Sequence, residues 1–119
     1  MKKQLNKNLI ERYSRQIVLK NIDILNYVSN HNSLRPKLVI GFAAETNNIE
    51  ENSRKKLMEK NCDWIIANDV SNESIGFNSD FNEVTILYKN KKINDEKLYM
   101  KKKSEIANEI IDRVVAQLN

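Results

Sequence analysis

One proline, two glycines, one cysteine, one histidine and one tryptophan are spread over 119 residues, and most of these scarcities remove a class of protein. Pro36, Gly41 and Gly76 are too few for a Gly/Pro-rich interior linker. No Walker-type loop and no G-x-G-x-x-G run occurs either, so neither glycine-rich phosphate fingerprint applies. Cys62 alone cannot close an internal disulfide, and the first residues lack the apolar run and small-residue cleavage pattern of a secretory signal. The expected compartment is the reducing cytoplasm. His31, the sole histidine, stands in a polar stretch, so neither a metal cluster nor a His-dependent nucleophile can be built around it, and no metal ligands are assigned. No stretch approaches the roughly 20 apolar residues that a membrane-crossing helix needs, and no membrane partner is expected.

The remainder is ordinary for a folded protein, with 40% hydrophobic and 30% charged residues in a length that suits one domain. Twenty basic residues are mixed with 16 acidic ones, leaving a formal charge of +4. That balance favours anionic partners only weakly. Aromatic stacking motifs and a concentrated basic stripe are both absent, so a nucleic-acid partner is not expected.

Residues 1–20 keep no sustained hydrophobic period and form a segment apart, with a short strand at 16–19 as the one candidate element. Asp23 occupies an N-cap position ahead of Ile24, Leu25 and Val28, which predicts a short helix ending near residues 30–33. Pro36 breaks that helix, and the apolar run that follows predicts a strand over 37–42. Asn48 with Glu51 has the spacing of a capping box opening a helix over 48–61. Trp64-Ile65-Ile66-Ala67 reads as a strand covered on both faces. The Asn-, Asp- and Ser-rich stretch 68–82 reads as a long loop, 83–87 and 91–98 as a hairpin, and the helical spacing of Ile106, Ile110, Val114 and Leu118 as a last helix from Ser104. The order predicts an α/β fold, a Rossmann-like three-layer domain whose mainly parallel sheet is flanked by helices and followed by a C-terminal hairpin and helix.

Open α/β sheets bind ligands at the carboxyl ends of their strands, which draws attention to Gly41, Phe42, Ala43 and Ala44. The small residues there equally permit close packing of strand on helix. Lys56 and Lys60 stand four apart and leave one helix face together. They suit a polyphosphate as two point charges, or they belong to a solvated basic face balanced by Glu50, Glu51 and Glu59. Asn68 and Asp69 lie on the same presumed edge, as hydrogen-bonding groups or as turn formers. Cys62 reads as a small packed residue.

Three runs resemble, in order and spacing, the signature of the bacterial phosphopantothenoylcysteine synthetases, also called phosphopantothenate-cysteine ligases. The first is Arg35-Pro36-Lys37-Leu38-Val39-Ile40-Gly41-Phe42-Ala43-Ala44-Glu45-Thr46-Asn47-Asn48, and the second is Lys60-Asn61-Cys62-Asp63-Trp64-Ile65-Ile66-Ala67-Asn68-Asp69-Val70-Ser71. The third is Ile75-Gly76-Phe77-Asn78-Ser79-Asp80 followed by Asn82-Glu83-Val84-Thr85. The resemblance implies a cytoplasmic ligase activity of coenzyme A biosynthesis. In it CTP and Mg2+ activate the carboxylate of 4'-phosphopantothenate as an acyl-cytidylate, and the amine of cysteine displaces CMP. It further implies that Ile22, Asp23, Ile24, Leu25 and Phe42 contact the nucleotide and that Lys56 and Lys60 hold its phosphates. Ile22 replaces the proline usual at that place. Met1-Lys2-Lys3 looks like the remainder of a lysine-rich loop that covers the family's active site, which would make Lys3 the catalytic-loop lysine.

The family's glycine-rich first half, which supplies the phosphopantothenate site and much of the dimer surface, has no counterpart in these residues, nor has the flavin-dependent decarboxylase usually fused to it. No FMN is therefore expected in this chain. The implied organisation is an N-terminal segment 1–20 and a nucleotide-binding part 21–119 that needs an N-terminal ligase half or a homodimer partner for turnover. A non-catalytic nucleotide-binding or interaction module, or an inactive fragment on the same scaffold, is the alternative.

Overall fold

A computed structural model describes residues 21–71 and 80–119, with side chains from Ile24 onward. The elements are α1 (Asn21–Ser29), β1 (Ile40–Glu45), α2 (Ile49–Glu59), β2 (Trp64–Asp69), β3 (Phe81–Tyr88), β4 (Glu96–Lys102) and α3 (Lys103–Leu118). The expected strand at 16–19 lies outside the described residues.

The four strands stand in chain order. β1 runs parallel to β2, while β2 with β3 and β3 with β4 run antiparallel. The α/β fold with a C-terminal hairpin and helix is present, but among the described strands the sheet is mixed rather than mainly parallel. Only the β1-α2-β2 unit has a helical crossover, and a hairpin can only reverse the chain.

Period-two alternation divides the core into two clusters. Val39, Ala43, Ile65, Ala67 and Leu87 meet Leu57 of α2, with Leu25 and Val28 of α1 at the margin. On the opposite face Trp64, Ile66, Val84, Ile86, Tyr88 and Leu98 meet Ile106 of α3. β2 contributes to both, which explains why four successive residues, Trp64 to Ala67, are all buried. Each large aliphatic side chain so enclosed stabilises the fold by roughly 1.5–3 kcal/mol relative to exposure. The indole of Trp64 meets the Tyr88 ring edge-on, centroids 5.2 Å apart and planes at 79°.

At the amino ends of β1 and β2, Arg35 ties the chain together. It donates to the Ser29 carbonyl (2.6 Å), the Asn61 carbonyl (3.1 Å) and Asp63 Oδ2 (3.1 Å). That same carboxylate oxygen accepts from the Val39 amide at 2.8 Å. α2 ends in a Schellman motif: the Cys62 amide donates to the Leu57 carbonyl and the Asn61 amide to the Met58 carbonyl. Asn61 takes the left-handed conformation (φ 53°) that glycine usually fills there.

Several expected boundaries move. Strand β1 starts and ends three residues later than the predicted 37–42, because Ala43, Ala44 and Glu45 continue the ladder with β2 instead of opening a loop. Asn68 and Asp69 extend β2, and Phe81 and Asn82 begin β3, so the expected 68–82 loop is shorter at both ends. The capping box does not form: Asn48 is left-handed (φ 43°) and its side chain makes no cap hydrogen bond. Asp23 is not an N-cap either, because the backbone is already helical at Asn21. The returning strand lies at Glu96–Lys102 rather than 91–98, since residues 90–95 form the turn, with Ile93 N bonded to the Asn90 carbonyl.

Candidate functional site

β1 pairs only with β2, so its other edge is open among the described residues. Along that edge α1, β1 and α2 enclose a cleft of about 370 Å3 lined by Leu25, Phe42, Lys56, Glu59 and Lys60, with Ile40, Gly41 and Ile65 at its floor. Gly41 makes this closeness possible. A Cβ there would lie 2.8 Å from Ile65 Cδ1 and 2.9 Å from Leu25 Cδ2, so a side chain would force these two neighbours to shift. The packing role of Gly41 is thus real, and Ala43 shares it as a buried core residue.

Phe42 is 74% exposed. Alternation and its register with Ile66 assign its side chain to the α3 face, yet its place on the edge strand makes it a wall of two clefts. The second, of about 560 Å3, lies between the sheet and α3 and is lined by Phe42, Ala44, Asn68, Asn82, Ile106 and Ile111, among others. Its lining is largely apolar, but Asn68 Oδ1 is buried without a hydrogen-bond partner among the described residues. A buried amide oxygen in that condition favours a ligand that brings a donor.

The sequence-predicted residues divide as follows. Leu25, Phe42, Lys56 and Lys60 meet in the edge cleft. Ile24 is 45% exposed on α1 and does not line that cleft. Ile22 and Asp23 belong to α1 by their backbone, and Lys3 lies outside the described residues. The edge cleft takes in Ile40, Gly41 and Phe42 of β1, whereas Ala44 and Asn68, in the second cleft, stand nearer the carboxyl ends of their strands.

The basic helix is not uniform. Arg54 pairs with Asp95 and, at 3.9 Å, with Glu50, and Lys55 faces Glu59 at 3.9 Å, so these two belong to a balanced surface. Lys56 Nζ lies 2.6 Å from Glu45 Oε1, a partner that sequence reasoning missed. The signal available was the odd spacing of Gly41, Ala43 and Glu45, which puts Glu45 on the helix-covered face. Asp69 is the turn former: its Oδ1 accepts from the Ser71 hydroxyl (2.5 Å) and amide (2.9 Å). The Ser71 hydroxyl and then its amide hold the Asp69 carboxyl below the usual range. Burial, then the neighbouring Asp63, pushes the Cys62 thiol up, which suits a packed residue and not a nucleophile.

Among the described residues, no three His, Cys, Asp or Glu side chains group as metal ligands. The edge cleft's own donors, two ammoniums and Glu59, do not fit a protein-held cation. No described helix is long and apolar enough to cross a membrane.

The model of the family described as DNA/pantothenate metabolism flavoprotein C-terminal domain matches residues 1–118. The chain is 40% identical over 100 residues to the coenzyme A biosynthesis bifunctional protein CoaBC of Escherichia coli (strain K12), covering 84% of this chain and 24% of that protein. It is 37% identical over 97 residues to the protein of the same name from Bacillus subtilis (strain 168), covering 82% and 23%. A crystal structure of the C-terminal domain of CoaBC superposes with a TM-score of 0.62 at 36% identity, over 81% of this chain and 41% of that one. The resemblance carried by residues 35–48 and 60–71 therefore holds, and the chain spans about a quarter of the length of these two relatives.

Proposed function

Since the chain belongs to the family of the DNA/pantothenate metabolism flavoprotein C-terminal domain, we propose that it is the nucleotide-gripping C-terminal part of a CTP-dependent phosphopantothenate-cysteine ligase of coenzyme A biosynthesis. The observation that carries this reading is the meeting of Leu25, Phe42, Lys56 and Lys60 in one cleft at the open edge of β1. An exposed aromatic face accepts a base by stacking, and two ammoniums four residues apart accept phosphates as point charges. Phe42 borders both clefts, so a nucleotide stacked on it reaches the lysines on one side and the unpartnered Asn68 carbonyl on the other.

The chemistry explains why a grip on the nucleotide matters. A free carboxylate is a poor electrophile. Attack of its oxygen on the α-phosphorus of CTP releases pyrophosphate and leaves an acyl-cytidylate, from which an amine displaces CMP. Cations that hold the phosphates stabilise charge on the departing pyrophosphate. Mg2+ belongs to the nucleotide in this reading, since the cleft offers it no ligand set.

Turnover requires further groups that we assign to an N-terminal ligase half. The open edge of β1 and the neighbouring exposed Phe42, Ile111 and Val115 form a surface suited to receive it, because unpaired strand edges and apolar patches are normally covered. Calorimetric titration with CTP and Mg2+, alone and with an N-terminal half added, tests the proposal. Binding alone with ligation restored by the added half is the expected result. Binding without restoration points to a non-catalytic nucleotide-binding module on the same scaffold, and no binding in either mixture removes the proposal.

A further inference from the structure

Glu45 ends β1 with its side chain only 11% exposed, and Lys56, 45% exposed, is its sole ion-pair partner among the described residues. The pair is asymmetric. A carboxylate that buried is strongly disfavoured without a counter-ion, whereas a half-exposed ammonium is readily solvated or handed to another anion. Its cross-strand neighbour gives Glu45 no relief, because Asp69, its register partner on β2, is itself an acid occupied with Ser71. Beside the edge cleft Lys56 is already engaged by Glu45, and Glu59, itself facing Lys55, adds a second acid to the lining, so a phosphate arriving there meets carboxylates as well as ammoniums.

We propose that Glu45 is a resident rival of the ligand's phosphates for Lys56, and so sets how much negative charge a ligand must carry to be held. The inference rests on the nucleotide reading of the cleft given above. A ligand with little charge gains too little from Lys56 to offset stranding a buried carboxylate. A triphosphate, with several charges acting on Lys56 and Lys60 together, gains enough. Replacing the carboxylate by its neutral amide removes the stranding cost while keeping shape and hydrogen-bonding capacity.

The test titrates inorganic tripolyphosphate, and separately CTP with Mg2+, into the 119-residue chain, Glu45→Gln, Lys56→Met and the double variant. Glu45→Gln is expected to bind tripolyphosphate about fivefold or more tightly, with a steeper loss of affinity as salt rises. In the Lys56→Met background the same replacement is expected to change affinity by less than about twofold, because the contested cation is gone. Equal or weaker binding by Glu45→Gln overturns the rivalry and makes Glu45 a positioning residue for Lys56. An equal gain in both backgrounds overturns it too, by reducing the effect to general charge. Should Glu45→Gln not fold, Glu45→Met, which fills similar space without charge, must show the same tightening. Absence of binding by the unaltered chain and every variant removes the nucleotide reading itself, an outcome distinct from binding that Glu45 does not influence.

Discussion

The two faces of the sheet are finished to different degrees. On the face covered by α1 and α2, small strand residues, Gly41, Ala43 and Ala67, let helices sit close, and Leu57 and Cys62 are fully enclosed. On the face covered by α3, the middle is closed by Trp64, Ile66, Ile86 and Ile106, but the flank beside β1 remains a groove, and Ile111, Val115 and Leu118 are each more than half exposed. The candidate site stands at the seam between them, where β1 has no outer neighbour among the described residues. A closed layer supplies a rigid base, and an open one leaves room for a ligand.

The largest effect expected from this contrast is on stability. Leu57→Ala, in the closed layer, should destabilise the chain by about 2–5 kcal/mol, while Ile111→Ala, on the open flank, should change it by no more than about 0.5 kcal/mol. Urea denaturation of both variants checks this. Comparable losses would mean that the α3 flank is as enclosed as the α2 face, and the contrast would fail.

A smaller effect is expected at the seam. Gly41→Ala places a methyl group against Ile65, which is fixed in the core, and Leu25, which can move aside. The loss should be about 1 kcal/mol, part of the overpacking cost being offset by a stiffer unfolded chain. Because Leu25 also lines the edge cleft, CTP affinity should fall in this variant even where its melting temperature stays near that of the unaltered chain. Unchanged affinity would separate α1 from the site.

A separate effect concerns pH and the α3 face. Burial, reinforced by the Glu96 carboxylate that accepts from its hydroxyl at 2.9 Å, pushes Tyr88 up to about 12 from its ordinary 10.0. The folded chain then keeps a proton that the unfolded chain loses, so the stability Tyr88 contributes is complete below pH 10 and disappears as pH rises through about 12. Melting curves at pH 9 and 11.5 should show a drop that is smaller in Tyr88→Phe. An equal drop in both proteins would place the alkaline sensitivity elsewhere.

Much of this architecture was legible in the residues. The α2 range differed little from 48–61, and α3 began one residue before Ser104, because both helices carry a sustained apolar stripe or strong helix formers. β1 and β4 were displaced for a common reason: their ends lack the composition of strands. Ala43, Ala44 and Glu45 are poor strand formers that nevertheless continue the ladder with β2, with Ala43 packed among the core residues that meet α2. Lys101 and Lys102 extend β4 because charged side chains suit an edge strand, where Lys101 meets Glu109 at 2.6 Å and the other side of the strand is open among the described residues. For the site, the four-residue spacing of Lys56 and Lys60 identified the pair that reaches the cleft. Period two places Glu45 on the helix-covered face, but its ion pair with Lys56, eleven positions along the chain, is not legible in the local pattern. The unpartnered carbonyl of Asn68 was equally hidden, since a side chain's hydrogen-bond satisfaction has no signature in composition.

The seating of Trp64 has an experimental consequence. It is the only indole in the chain, 4% exposed and held against Tyr88 at the end of the sheet remote from Ala44 and Asn68. Its emission should therefore be that of a dry, shielded fluorophore, red-shifting when the sheet opens. The chain thus carries its own unfolding indicator.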